Sequence, residues 1–107
     1  MCEVTNPVIV TAYFEPADGK KEALLEVLGE FIPRVHEEQG CELYAIHEAP
    51  DGSLVMIEKW ATLADLEAHG AGAVMAEINV AFQGKLAGAP RVVTLAPLPF
   101  GGTRGAL

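Results

Sequence analysis

Two strand-like runs in this chain are apolar on both of their faces. In Val8 to Phe14 the alternating sets Val8/Val10/Ala12/Phe14 and Ile9/Thr11/Tyr13 are both largely apolar. Leu54 to Trp60 repeats the pattern, with Leu54 and Met56 on one face and Val55 and Ile57 on the other. An antiparallel sheet with a wet face alternates apolar and polar residues, so a sheet built from these strands must be covered on both sides. The chain has 107 residues, 50% of them hydrophobic and 21% charged. A domain that short buries roughly two-thirds of the surface its unfolded chain exposes. One layer of helices covers one face of such a sheet. The other is expected to meet the same sheet of a second copy, making a homodimer.

The rest of the chain supplies the helices. Pro16-Ala17-Asp18-Gly19 follows the first strand, with Asp18 placed to cap a helix and Glu22 in its first turn. Leu24, Leu28, Phe31 and Val35 fall at i, i+4, i+7 and i+11, one stripe of an α-helix, while Glu22, Glu26, Glu30 and Glu37 gather opposite. Pro33 predicts a bend in this helix, and Gly40 its end. Cys41–Ala49 and Leu54–Trp60 flank Pro50-Asp51-Gly52-Ser53, a turn in which proline presets φ and glycine accepts the positive value, so the pair reads as a hairpin. Thr62 with Asp65 three residues on is a partial capping box for a short helix, interrupted at Gly70 and Gly72 beside His69. A further helix carries Val74, Met75, Ile78, Ala81 and Phe82 on one side, and Arg91–Leu95 is the last strand. The order β-α-β-β-α-β, with the second α in two pieces, is the ferredoxin-like α+β arrangement: one antiparallel sheet with helices on one face. Residues 1–107 read as a single domain with a core at about 8–98 and a carboxy-terminal arm at 99–107.

Several functions are excluded on composition. A net charge of -8 leaves no clustered basic face for nucleic acid or acidic lipid. No apolar run approaches the ~18 residues of a membrane span, and Met1 to Pro7 lacks the basic segment of a secretory signal. A cytoplasmic oligomer is expected. Cys2 and Cys41 are too few for a disulfide framework, and His36, His47 and His69 are not spaced as ligands, so no metal is expected. A flavin or nicotinamide cofactor has no glycine-rich fingerprint to bind, and there is no P-loop.

Three short motifs occur in order. Gly40-Cys41-Glu42-Leu43-Tyr44 resembles the Gly-Cys-x-x-Tyr opening of the second strand in the antibiotic biosynthesis monooxygenase-like family. Ile57-Glu58-Lys59-Trp60 followed by Leu66-Glu67-Ala68-His69 resembles that family's Glu-x-Trp strand end and downstream helix histidine, and Asp18-Gly19-Lys20 fits ahead of the first helix. The resemblance implies a dimeric α+β barrel with a pocket between helices and sheet in each subunit. It also implies a choice among cofactor-independent oxygenation of phenols or quinols, haem degradation and isomerisation. The haem-degrading branch carries an asparagine where this chain has Ala12 or a neighbour, and a histidine where Gly70 stands. Haem cleavage is therefore not expected.

The candidate site residues each have two readings. Trp60 packs as a core aromatic or walls a pocket for a planar ligand. Glu58, between apolar neighbours, pairs with Arg34 or Arg91, or it orients a histidine and shares a substrate proton. His69 is stabilised by its helix end or acts as a base, since imidazole takes a proton near neutral pH. Tyr44 and His47 fall on opposite faces of the second strand, and period alone does not say which meets the pocket. His36 is expected on a solvated flank. Met56, Met75, Ile78 and Phe82 are core residues or pocket walls. On the reading the resemblance favours, His69, Glu58 and Trp60 form the catalytic group, and Tyr44, Met56, Met75, Ile78 and Phe82 hold the substrate. The expected function is a cofactor-independent monooxygenase acting with O2 on a small aromatic, quinone-like or quinol substrate. A non-redox isomerase, or a small-molecule-binding dimer with a collapsed pocket, stands as the alternative.

Overall fold

The computed structural model describes residues 6–107, so Cys2 and the amino-terminal segment before Asn6 lie outside the described residues. The elements are β1 (Val8–Phe14), α1 (Lys21–His36), β2 (Cys41–Glu48), β3 (Leu54–Trp60), α2 (Leu63–Gly70), α3 (Ala73–Ala81) and β4 (Arg91–Leu95). A 3-10 turn at Gly102–Gly105 follows. The four strands form one antiparallel sheet in the order β2-β3-β1-β4. This is the ferredoxin-like α+β fold expected from the element order.

Register decides which side chains meet the helices. Val8 pairs with Trp60, Val10 with Glu58, Ala12 with Met56 and Phe14 with Leu54, and paired residues share a face. All eight are buried. Tyr44 joins this face opposite Glu58. α1 closes over it with the predicted stripe of Leu24, Leu28, Phe31 and Val35, all buried. Each such side chain contributes about 1.5–3 kcal/mol on burial. The opposite face carries Thr11, Val55, Ile57 and Val93, all half-buried, and Tyr13 and Leu95, which are exposed.

Three local expectations are corrected. Asp18 does not cap α1: Lys20 occupies that position, with no side-chain hydrogen bond to the helix. α1 stops at His36 rather than running to Gly40. The Glu37 and Glu38 N–H groups donate to the carbonyls of Arg34 and Val35, three residues back, at 3.2 and 2.9 Å, so the last turn tightens and closes. Gly40, at φ +79, then reverses the chain into β2. β2 ends at Glu48, and Ala49 belongs to the turn. Pro33 is held within α1 on its exposed side. At α2 the capping box forms as read, with the Asp65 N–H donating to Thr62 Oγ1 at 3.1 Å.

No helix among the described residues is long and apolar enough to cross a membrane. The chain after β4 crosses back to β3, where Lys59 Nζ donates to the Leu107 carbonyl at 2.7 Å.

Candidate active site

A cavity of about 320 Å³ opens between the sheet and the two short helices. Its apolar walls are Val10, Ala12 and Phe14 from β1, Leu66 from α2, and Met75 and Phe82 from α3 and its end. Phe14 and Phe82 meet edge to face, with ring centroids 5.6 Å apart. Four polar side chains reach it: Tyr44, Glu58, His69 and Asn79. Gly70, Pro90 and Val92 form the rim. A small cavity with apolar walls and a few convergent polar groups is the usual form of a small-molecule site.

The polar groups are tied together from different elements. Trp60 Nε1 donates to Glu58 Oε1 at 2.9 Å, two residues apart on the same face of β3. The His69 ring stacks on the Trp60 indole with centroids 4.6 Å apart and planes 29° from parallel. Tyr44 meets His69 edge-on at 5.5 Å. His69 itself is 6% exposed, held in the last turn of α2 just before the helix breaks at Gly72. That glycine passes so close to the Ala68 and His69 carbonyls that a Cβ would lie 3.1 and 3.4 Å from them.

The second contact of His69 is with Glu38, whose Oε1 lies 2.9 Å from Nδ1. An ionised carboxylate only accepts hydrogen bonds, so in the neutral ring this geometry places the proton on Nδ1 and leaves Nε2 as the free nitrogen. Glu38 is positioned by the tightened end of α1. Nothing in the sequence pattern points to it, because its place depends on where that helix stops. The other polar group the pattern missed is Asn79, which follows Ile78 on α3 and reaches the cavity.

Burial is the main influence on the titrating groups. It pushes the Glu58 carboxyl above its ordinary value, against the pull of the Trp60 N–H and His69, while the Glu38 charge pushes the same way as burial. Burial, with the Glu58 and Glu38 charges behind it, raises the Tyr44 phenol well above its usual range. Tyr44 is thus a protonated hydrogen-bond donor at neutral pH.

The expected site residues fall into two groups. His69, Glu58, Tyr44, Met75 and Phe82 line the cavity. Trp60, Met56 and Ile78 are buried at 0%, 0% and 3% exposure and stand behind the lining; Trp60 reaches the cavity only through its contacts with His69 and Glu58. The ion pairs weighed for Glu58 do not form. Arg34 instead binds Glu77 with both guanidinium nitrogens, at 2.7 and 3.3 Å, and Arg91 lies over the Tyr13 ring at 5.5 Å. On β2 it is Tyr44 that faces the cavity, whereas His47 is exposed on the other side. His36 is not simply solvated: its Nε2–H donates to the Tyr44 carbonyl at 3.0 Å.

The family profile for antibiotic biosynthesis monooxygenases matches residues 7–80, a span that runs from β1 to the last turn of α3 and carries every polar group of the cavity. The chain belongs to that family. It is 36% identical over 73 residues to the Escherichia coli K12 protein named "Probable quinol monooxygenase YgiN", a match covering 58% of this chain and 69% of the relative. The solved structure of Rv0793 from Mycobacterium tuberculosis superposes with a TM-score of 0.81 at 30% identity, covering 86% of this chain and 95% of that one. PA3566 from Pseudomonas aeruginosa has the same fold at a TM-score of 0.81 and 24% identity, covering 91% and 99%. Membership in the family and likeness to the E. coli protein support a monooxygenase-type function.

Proposed function

We propose that this protein inserts one oxygen atom from O2 into a small phenol of the quinol class, in the cavity between β1, α2 and α3, using only its own side chains. The observation that carries this reading is a buried imidazole at the edge of an apolar cavity, fixed by a carboxylate on one nitrogen and by an indole across its face. A quinol is hard to oxidise as the neutral molecule. Once deprotonated, its anion passes an electron to O2 directly, and radical recombination followed by loss of water gives the hydroxyquinone. The overall balance is quinol plus O2 to hydroxyquinone plus water. His69 Nε2 takes the phenolic proton, a contribution of about 100-fold or more for a placed general base. Tyr44 donates to a substrate oxygen. Glu58, held by Trp60 Nε1, bounds the same end of the cavity, and Met75 and Phe82 exclude water from the reacting ring.

The half-buried face with Thr11, Val55, Ile57 and Val93 pairs with a second copy of the chain, as the two-sided apolar strands require. A non-catalytic dimer with a collapsed pocket predicts a cavity filled by Trp60 and Phe82 with Glu58 in an ion pair. Here the cavity is open and Glu58 accepts from Trp60.

The test is O2 uptake by metal-stripped protein with reduced quinols and hydroxylated anthrones, using labelled O2. Protein-dependent uptake with one labelled oxygen in the product supports the reading. Conversion of a substrate with no O2 consumed moves the protein to isomerase chemistry and overturns it.

A further inference from the structure

His69 sits between two cavities. One is the apolar pocket of about 320 Å³. The other is a groove of about 260 Å³ between the turn that follows α1 and the junction of α2 with α3, where Glu38, Gln39, Asp65 and Val74 form the walls. Among the described residues His69 is the one that lines both. Its Nδ1 is bonded to Glu38 on the groove side, at 2.9 Å. Glu38 is 22% exposed at its side chain and His69 6%. The pair thus reaches from one cavity into the other, with Glu38 its more exposed member.

We propose that His69 and Glu38 form a proton relay that connects the apolar pocket to solvent through this groove, with Glu38 as the residue that positions His69 and carries its proton. The inference rests on the oxygenase reading above, in which His69 is the base. In the deprotonation the substrate O–H bond breaks and an Nε2–H bond forms. The Nδ1–H bond then breaks as Glu38 Oε1 takes that proton and releases it to water in the groove. The ring returns to its starting form when Nε2 protonates the reduced oxygen and Nδ1 regains a proton through Glu38. No electron moves in either transfer.

The two neighbouring groups on the pocket side do not serve this purpose. Glu58 is 6% exposed and already accepts from Trp60, so a proton delivered to it stays in the pocket. Tyr44 holds its proton firmly. Without an outlet, each deprotonation leaves a cation buried beside the substrate anion, which favours return of the proton rather than reaction with O2.

Glu38→Gln keeps the size and a hydrogen bond but cannot take a proton. Imidazole nitrogen NMR, with the His69 signals assigned by their loss in His69→Ala, should show Nδ1–H as the dominant neutral form in the wild type and a shift toward Nε2–H in Glu38→Ala, which leaves Nδ1–H without its acceptor. With a quinol substrate, kcat of Glu38→Gln should fall about 10- to 100-fold, taking the range known for loss of the carboxylate behind a metal-ligating histidine as the guide, with KM within about twofold. Raising the concentration of a small buffer acid should restore kcat in Glu38→Gln and leave the wild type unchanged, and Glu38→Asp should retain part of the activity. Unchanged ring forms in Glu38→Ala overturn the relay, as does a kcat loss in Glu38→Gln that no buffer restores. If the wild type takes up no O2 with any quinol, the oxygenase reading fails and the NMR comparison alone decides whether Glu38 sets the proton position on His69.

Discussion

The Trp60 indole joins two functional groups at once: its face stacks on the His69 imidazole at 4.6 Å, and its Nε1 donates to Glu58 Oε1 at 2.9 Å. A residue fully buried behind the cavity thereby fixes both the candidate base and the carboxyl beside it. Trp60→Phe keeps an aromatic face for His69 but removes the donor. Leaving a buried acceptor unsatisfied costs about 1–3 kcal/mol, and the smaller ring adds a packing loss. Denaturant unfolding should register a destabilisation of at least that size, with Glu58 titrating at still higher pH. A variant of wild-type stability would show that the Trp60–Glu58 bond is not maintained.

Glu58 makes stability pH-dependent in a defined direction. Its folded-state affinity for a proton is raised, chiefly by burial, above the ordinary carboxyl value of 4.5. The folded protein therefore binds this proton more tightly than the unfolded chain, and stability falls as pH rises from about 4.5 through the raised value. Glu58→Gln removes the titration while its amide oxygen still accepts from Trp60. The melting temperature of Glu58→Gln relative to wild type should improve across that window and stay level above it. A difference independent of pH would contradict the burial account.

Gly40 is required by two features of the turn into β2. Its φ is +79, and a Cβ there would run into the Asp65 carboxylate. Gly40→Ala should cost about 1–2 kcal/mol from the left-handed backbone alone, and more from the clash. Adding Asp65→Ala should recover only the part of the clash made by the carboxylate, because the Asp65 Cβ, 2.6 Å from the added carbon, stays in place. Full recovery in the double variant would mean the backbone conformation carries no strain.

The half-buried sheet face bears on assembly. Ile57→Lys and Val55→Lys place a charge at the centre of the proposed contact between copies. Light scattering after gel filtration should show a dimer for the wild type and a monomer for each variant. A wild-type monomer would remove the two-copy sheet packing, and with it the physical account of the two-sided apolar strands.

Periodicity made the fold legible. The α1 stripe of Leu24, Leu28, Phe31 and Val35, the even-numbered faces of β1 and β3 and the capping box at Thr62 are local patterns that survive into the structure, whereas the equally local Asp18 cap does not form. Motif order led to the family that the profile match shows. What was not legible depended on distance between elements. Glu38 is 31 residues from His69 in sequence, and its reach toward the ring follows from α1 ending at His36, a helix end set by hydrogen bonds rather than by any stop residue. The placement of Trp60, Met56 and Ile78 behind the cavity is likewise a matter of depth. Alternation assigns a face and says nothing about which residue on that face has another in front of it.

As the proposed base for quinol oxygenation, His69 is the residue whose loss should stop the reaction. The most direct measurement is the rate of O2 uptake at saturating quinol by wild type and His69→Ala, both shown to be folded by their melting curves. A fall of at least about 100-fold is expected in His69→Ala. Uptake by His69→Ala at the wild-type rate would contradict it and remove the imidazole from the mechanism.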